Sequence, residues 1–168
     1  IYSYAMRNDE ICYSPGKLME RIEIDIEQQL TSTFFSAFTI VLDPFKNTLR
    51  YSNAGHPSAI LISDKITLLK PSLPLLGLHQ MMSSISYDDN IVPFKSGSKL
   101  ILFTDGLIDA QNKENELFSM EKLVSIVERY QDLAINSICA QIIKSYNDFI
   151  EDTEITDDVC LLGIEYDS

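Results

Sequence analysis

Lys99-Leu100-Ile101-Leu102-Phe103-Thr104-Asp105-Gly106-Leu107-Ile108-Asp109-Ala110 is the stretch whose reading decides the fold. Leu100 to Phe103 is a short unbroken apolar run, the pattern of a strand covered on both faces. The run stops at Thr104-Asp105-Gly106, so an acid stands at the C-terminal end of the strand, where a sheet opens to solvent. Gly106 leaves room for a close backbone approach or for a positive φ. Two readings of Asp105 follow from the residues alone. One is a metal ligand, and the other is a turn in which the acid caps a following helix.

Upstream of this stretch the chain reads as strands joined by short turns. Phe34 to Leu42 is aromatic and β-branched and ends in Asp43-Pro44, and Thr48 to Ser52 pairs back on it. Asn53-Ala54-Gly55-His56-Pro57 reads as a tight turn. Ala59–Ile62 and Ile66–Leu69 form a hairpin about Ser63-Asp64-Lys65, one more strand lies within Ser84 to Phe94, and another, Lys99–Phe103, follows the Gly97-Ser98 turn. Before all of these, Ser14-Pro15 starts a helix as N-cap and first helical residue. Leu18, Met19, Ile22, Ile26 and Leu30 mark its apolar face, and the helix is expected to end near 31–33. Downstream, Ser119 caps a helix over Met120–Tyr130 with Leu123, Ile126 and Val127 inward. A second helix spans roughly Ile135–Phe149, with Ile138, Ile142, Ile143 and Tyr146 inward. A strand over Val159–Tyr166 ends the series. Many strands on short turns imply antiparallel pairing rather than crossovers, so the fold class is α+β.

A second candidate is Thr156-Asp157-Asp158, just before the last strand. Adjacent residues on extended backbone point to opposite sides, so one acid can reach a site while its neighbour faces away. The alternative is a solvated acidic turn, since Glu151, Asp152 and Glu154 lie close by. In Asn53 to Pro57 the turn needs its residues in any case. His56 therefore reads as a buried or hydrogen-bonded loop residue rather than a general acid. His79 has no partner suggested by the sequence. There is no nucleophile elbow, P-loop, HExxH or CxxxxxR loop. The Asp nucleophile of a haloacid-dehalogenase-like site would need a second Asp where Leu107 stands.

A chain of 168 residues can bury a core of its own. No apolar run approaches the roughly 18 residues of a membrane span, and Ile1-Tyr2-Ser3-Tyr4 lacks the form of a signal peptide. The absence of an initiator Met suggests an excised piece. A net charge of −12, with no basic stripe, argues against nucleic acid as a partner. Cys12, Cys139 and Cys160 are odd in number and scattered. They fit a reducing cytoplasm, with buried, unreactive thiols as the expectation for all three.

Taken in order, several segments resemble one family. They are Phe34 to Asp43, Leu49-Arg50-Tyr51-Ser52-Asn53-Ala54-Gly55-His56-Pro57, Pro74-Leu75-Leu76-Gly77-Leu78, the opening stretch Lys99 to Ala110, and Asp157-Asp158-Val159. From about Ser14 to the C-terminus the chain is similar to the SpoIIE-type bacterial branch of the metal-dependent (PPM) protein serine/threonine phosphatases. That branch includes the phosphatases regulating sigma factors. The resemblance implies an α-β-β-α sandwich of antiparallel sheets holding two divalent cations, Mn²⁺ or Mg²⁺. It implies Asp105 and Asp157 as metal ligands, with Gly106 and Asp158 as neighbouring or backbone-contributing residues. The substrate it implies is phosphoserine or phosphothreonine on a bacterial regulatory protein, for instance an anti-sigma-factor antagonist, in the cytoplasm.

The family's Gly-Asp-x-x-Asp and Asp-x-x-Gly-His-Gly segments, which supply the acid bridging the two metals, are not in this sequence. The expectation is therefore that residues 1–168 form one partial phosphatase domain, incomplete at its N-terminus, that binds metal weakly and turns over slowly. The alternative reading is a catalytically inactive phosphatase-like module for binding or signalling. Hard cations with oxygen ligands suit candidate sites that hold acids but neither Cys nor His.

Overall fold

In the computed structural model, which describes residues 13–29, 34–78 and 87–167, the chain divides into two compact units. One is built from the described residues before Pro57 and between Lys70 and Lys95, the other from Pro57–Leu69 and from Ser96 onwards. The strands are Ala37–Asp43 (β1), Thr48–Ala54 (β2), Ala59–Ile62 (β3), Ile66–Leu69 (β4), Asn90–Pro93 (β5), Lys99–Phe103 (β6) and Leu161–Glu165 (β7). The helices are Pro15–Gln29 (α1), Asp105–Ile108 (α2), Met120–Tyr130 (α3) and Ile135–Ile150 (α4). Two antiparallel sheets result, ordered β1-β2-β5 and β4-β3-β6-β7, which is the expected α+β class. Among the described residues, no helix is long and apolar enough to cross a membrane.

In the first unit, α1 starts as its sequence dictates. The Ser14 Oγ accepts from the Lys17 amide at 3.1 Å and donates to Asp89 Oδ1, also at 3.1 Å. Asp89 Oδ1 takes a second bond from the Gly16 amide at 2.7 Å. Met19 is fully buried and packs with Ala54, Leu76 and Tyr87. Glu23, which apolar periodicity passed over, is only 2% exposed on this helix. A buried carboxylate needs donors, and it finds them in the Gly77 amide at 2.7 Å and the Tyr87 hydroxyl at 3.3 Å. Burial, and then the Glu23 charge, push the Tyr87 phenol well above its ordinary range. The expected helix end, Leu30, Cys12 and His79 lie outside the described residues.

Asn53 and Ala54 are not part of the turn expected from their sequence. They continue β2 opposite Phe38 and Ala37, and the chain turns only at Gly55, whose φ is +64°. The ladder outweighs the local turn preference because Ala37 and Phe38 supply a partner strand that only the tertiary structure provides. His56 is half-buried. Its amide donates to Asn53 Oδ1 at 2.9 Å, and its Nδ1 shares a 3.0 Å hydrogen bond with Ser36 Oγ.

The second unit packs α3 and α4 against one face of its sheet. Ile60, Ile62, Ile101 and Phe103 from the strands meet Leu123, Val127, Ile138, Ile142 and Tyr146 from the helices. Gly163 lets α4 approach β7 closely, since a Cβ there would lie 2.5 Å from Ile135 Cγ1 and 2.8 Å from Cys139 Sγ. The N-cap residue of α4, Ala134, has no capping side chain. Glu165 of β7 supplies the acceptor instead, taking the Ile135 amide at 2.9 Å, where the positive end of the helix also favours its charge. Lys99 lies 3.7 Å from Glu165 and donates to the Gln131 carbonyl at 3.1 Å, linking β6, β7 and the end of α3.

Three expectations need correcting here. Ile143 is 37% exposed rather than inward, because the apolar face of α4 is used up by Ile138, Ile142 and Tyr146. The last strand is shorter than Val159–Tyr166, beginning at Leu161. Cys160 is exposed rather than buried, whereas Cys139 is half-buried and burial pushes its thiol above the ordinary range.

Candidate functional site

Thr104 and Asp105 emerge from β6 as the N-cap and first residue of the single-turn helix α2, which the sequence reading passed over. Asp105 is therefore not itself the cap. Thr104 holds the cap position, but its hydroxyl makes no capping bond. It donates instead to the Asp158 carbonyl at 2.8 Å and accepts from the Cys160 amide at 2.8 Å. A backbone bond from the Thr104 amide to the Cys160 carbonyl at 3.1 Å completes the contact. The end of β6 is thus stitched to the segment entering β7.

Gly106 has no left-handed backbone, and its role is close approach. A Cβ at this position would stand 2.6 Å from the Asp158 carbonyl oxygen and 3.3 Å from the Asp157 carbonyl carbon. Two acidic segments more than fifty residues apart therefore share one spot. Asp105, Asp157 and Asp158 are all exposed. Asp157 Oδ1 takes the Asp158 amide at 2.7 Å, which fixes the direction of its carboxylate.

A cleft of about 380 Å³ opens beside this junction. Gly106, Asp109, Gln111, Tyr146, Glu154 and Asp157 line it, whereas Asp105 and Asp158 do not. Asp109 was not singled out from the sequence. The available signal was its i+4 spacing from Asp105, which places two acids on one side of a helical turn. The Tyr146 hydroxyl is buried without a hydrogen-bond partner, and burial raises its phenol above the usual range.

Lys113 meets Glu151 Oε2 at 2.7 Å and Asp152 Oδ2 at 3.7 Å. The Glu151 hydrogen bond and charge raise the Lys113 ammonium above its ordinary 10.5, and Lys113 in turn lowers Glu151 below its ordinary 4.5. The lowered carboxyl contributes stability above about pH 4.5 that is lost as pH falls through its folded value. The raised ammonium contributes below about pH 10.5, and that part is lost as pH rises through its folded value. Both groups are exposed, so the contribution is small. Lys113→Ala is expected to hold its Tm at pH 7 within about 2 °C of the parent, with the small difference vanishing in 1 M salt. Thermal melts at two ionic strengths check this.

Carboxylate oxygens are the donors that hard divalent cations take, and both Asp105 and Asp157 carry one beside the Gly106 contact in sequence, that of Asp157 accepting from the Asp158 amide. Among the described residues, however, no group of three or more His, Cys, Asp or Glu is gathered closely enough to form a metal centre.

Residues 2–167 match the family model described as Stage II sporulation protein E (SpoIIE). The chain belongs to the SpoIIE family. It is accordingly a PPM-type phosphatase domain of the SpoIIE branch. Among curated relatives of this SpoIIE domain, Protein IcfG of Synechocystis sp. is 34% identical over 93 residues, spanning 54% of this chain and 14% of IcfG. Phosphoserine phosphatase RsbP of Bacillus subtilis is 22% identical over 159 residues, spanning 90% of this chain and 37% of RsbP. The SpoIIE domain thus spans well under half the length of either relative. The solved SiaA-PP2C domain of Pseudomonas aeruginosa shares its fold with a TM-score of 0.81 at 17% identity, over 92% of this chain and 62% of that one. The catalytic domain of the serine/threonine phosphatase PstP, solved in complex with two manganese ions, matches with a TM-score of 0.56 at 15% identity. That match spans 86% of this chain and 65% of PstP's.

Proposed function

We propose that the protein containing this SpoIIE domain hydrolyses phosphoserine or phosphothreonine on a bacterial regulatory protein, such as an anti-sigma-factor antagonist. It would do so with two Mn²⁺ or Mg²⁺ ions, one of them held by Asp105 and Asp157. The observation that carries this reading is the glycine-made contact at Gly106, which brings the Thr-Asp-Gly turn against the Asp157-Asp158 backbone. The printed activity of RsbP supports the substrate class, and the two manganese ions bound by PstP support the cofactor. The remaining acids are proposed to come from the family's Gly-Asp-x-x-Asp and Asp-x-x-Gly-His-Gly segments, which this sequence does not contain.

When bound, two divalent cations supply charge neutralisation at the phosphate and a lower pKa for the attacking water. The chain's own residues contribute position. Asp105 and Asp157 present oxygens at the junction, and the Asp158 amide keeps the Asp157 carboxylate from rotating away. Asp109 and Glu154 keep the adjoining cleft acidic. Without the bridging acid of those two family segments, the chain alone is expected to bind metal weakly and to turn over slowly.

Titration of the chain with Mn²⁺, followed by electron paramagnetic resonance of the free ion, tests the assignment. Weak binding is expected, and Asp105→Asn and Asp157→Asn are each expected to weaken it about tenfold or more, since ligand charge sets affinity in such sites. Unchanged affinity in Asp105→Asn would sink the proposal. Rapid hydrolysis of a phosphopeptide by the Asp105→Asn chain would do the same.

A further inference from the structure

We infer that Thr104 is a positioning residue for the metal site, setting through its hydroxyl the spacing between Asp105 and Asp157. The inference rests on the metal-ligand reading of those two acids and adds to it a group that touches neither metal nor substrate.

An N-cap threonine ordinarily turns its oxygen to the second or third amide of its helix. Thr104 occupies the N-cap of α2 without doing so. Its hydroxyl donates to the Asp158 carbonyl and accepts from the Cys160 amide, each at 2.8 Å. Both uses of one oxygen therefore go to the segment that carries Asp157. The residue after Thr104 in sequence is Asp105, and the residue before its acceptor carbonyl is Asp157. A single side chain thus holds the backbone next to each proposed ligand. Gly106 permits the approach but supplies no attraction, so the Thr104 hydroxyl adds its two bonds to the backbone pairing of β6 with β7 and to the bond from the Thr104 amide to the Cys160 carbonyl. Groups of this kind, which orient ligands from behind, change metal affinity by about 10–100-fold when removed.

Threonine suits the task because a hydroxyl is both donor and acceptor. Valine keeps the shape and loses both bonds, whereas serine keeps both bonds and loses only a methyl group. Mn²⁺ titrations of Thr104→Val, Thr104→Ser and Asp105→Asn therefore separate the possibilities. Thr104→Val is expected to bind Mn²⁺ about tenfold or more weakly, and Thr104→Ser to bind within about threefold of the parent. If Asp105→Asn weakens binding while Thr104→Val does not, the positioning role is overturned and the ligand assignment stands. If Asp105→Asn leaves binding unchanged, the ligand assignment falls and the positioning role falls with it. A folded Thr104→Ser chain that binds as poorly as Thr104→Val also overturns the role, because it restores the hydroxyl.

Amide exchange in the unsubstituted chain gives a test that needs no variant to fold. The Cys160 amide is expected to exchange slowly without metal, as a donor to Thr104 Oγ1 should. Exchange at the rate of an unprotected amide would overturn the inference.

Discussion

Gly106→Ala is expected to destabilise the chain by about 3 kcal/mol, at the upper end of what overpacking usually costs, and to weaken Mn²⁺ binding in the same step. Its φ lies outside the left-handed region, so alanine meets no backbone strain there and the effect is steric. The new methyl group would stand 2.6 Å from the Asp158 carbonyl oxygen and 3.1 Å from the carbonyl carbon. Neither atom is the end of a flexible side chain. Both belong to a peptide group already held by the Thr104 hydroxyl at 2.8 Å. Relief requires α2 or the segment entering β7 to move, and either movement breaks the stitch. Urea unfolding of the variant measures the first effect and an Mn²⁺ titration the second. A stability within 0.5 kcal/mol of the parent, roughly what a neutral surface change gives, would show that the contact is not tight.

The other large effect belongs to the core. Phe118 is fully buried, with its ring edge-on to Tyr146 at 5.7 Å and to Phe149 at 5.4 Å between centroids. Its amide also donates to the Ala110 carbonyl at 2.8 Å, which folds the 110–118 excursion back on itself. Phe118→Ala is expected to cost about 3–5 kcal/mol, the usual loss for a phenylalanine deleted from a packed interior. Phe118→Leu should cost clearly less, because most of the volume stays filled. Urea denaturation midpoints of the two variants check the order. The aromatic contacts are the reason to expect the alanine value near the top of the range.

The parts of the fold that were legible share one property: local chemistry decides them. The Ala59–Ile62 and Ile66–Leu69 hairpin, β6 and α3 all fall at the boundaries their residues imply. Each is bounded by its own turn or cap residues, such as Ser119, whose Oγ accepts from the Lys122 amide. Where a distant partner decides, the sequence misleads or is silent. Asn53 and Ala54 look like a turn but are strand residues, because β1 offers them partners. Glu23 lies off the apolar stripe expected for α1 yet is buried, and the Gly77 amide and the Tyr87 hydroxyl reach it.

The candidate site divides in the same way. The sequence by itself determined which residues could matter there, since Asp105 ends an apolar strand, Gly106 follows it and Asp157 precedes the last strand. It also determined the family, through the order of its motifs. Only the tertiary structure decided why Gly106 is glycine, what the Thr104 hydroxyl does, and that Asp109 and Asp157 line one cleft. The physical reason is that a carbonyl 2.6 Å from a missing Cβ, or a hydroxyl shared between residues 158 and 160, exists only once β6 and β7 lie side by side.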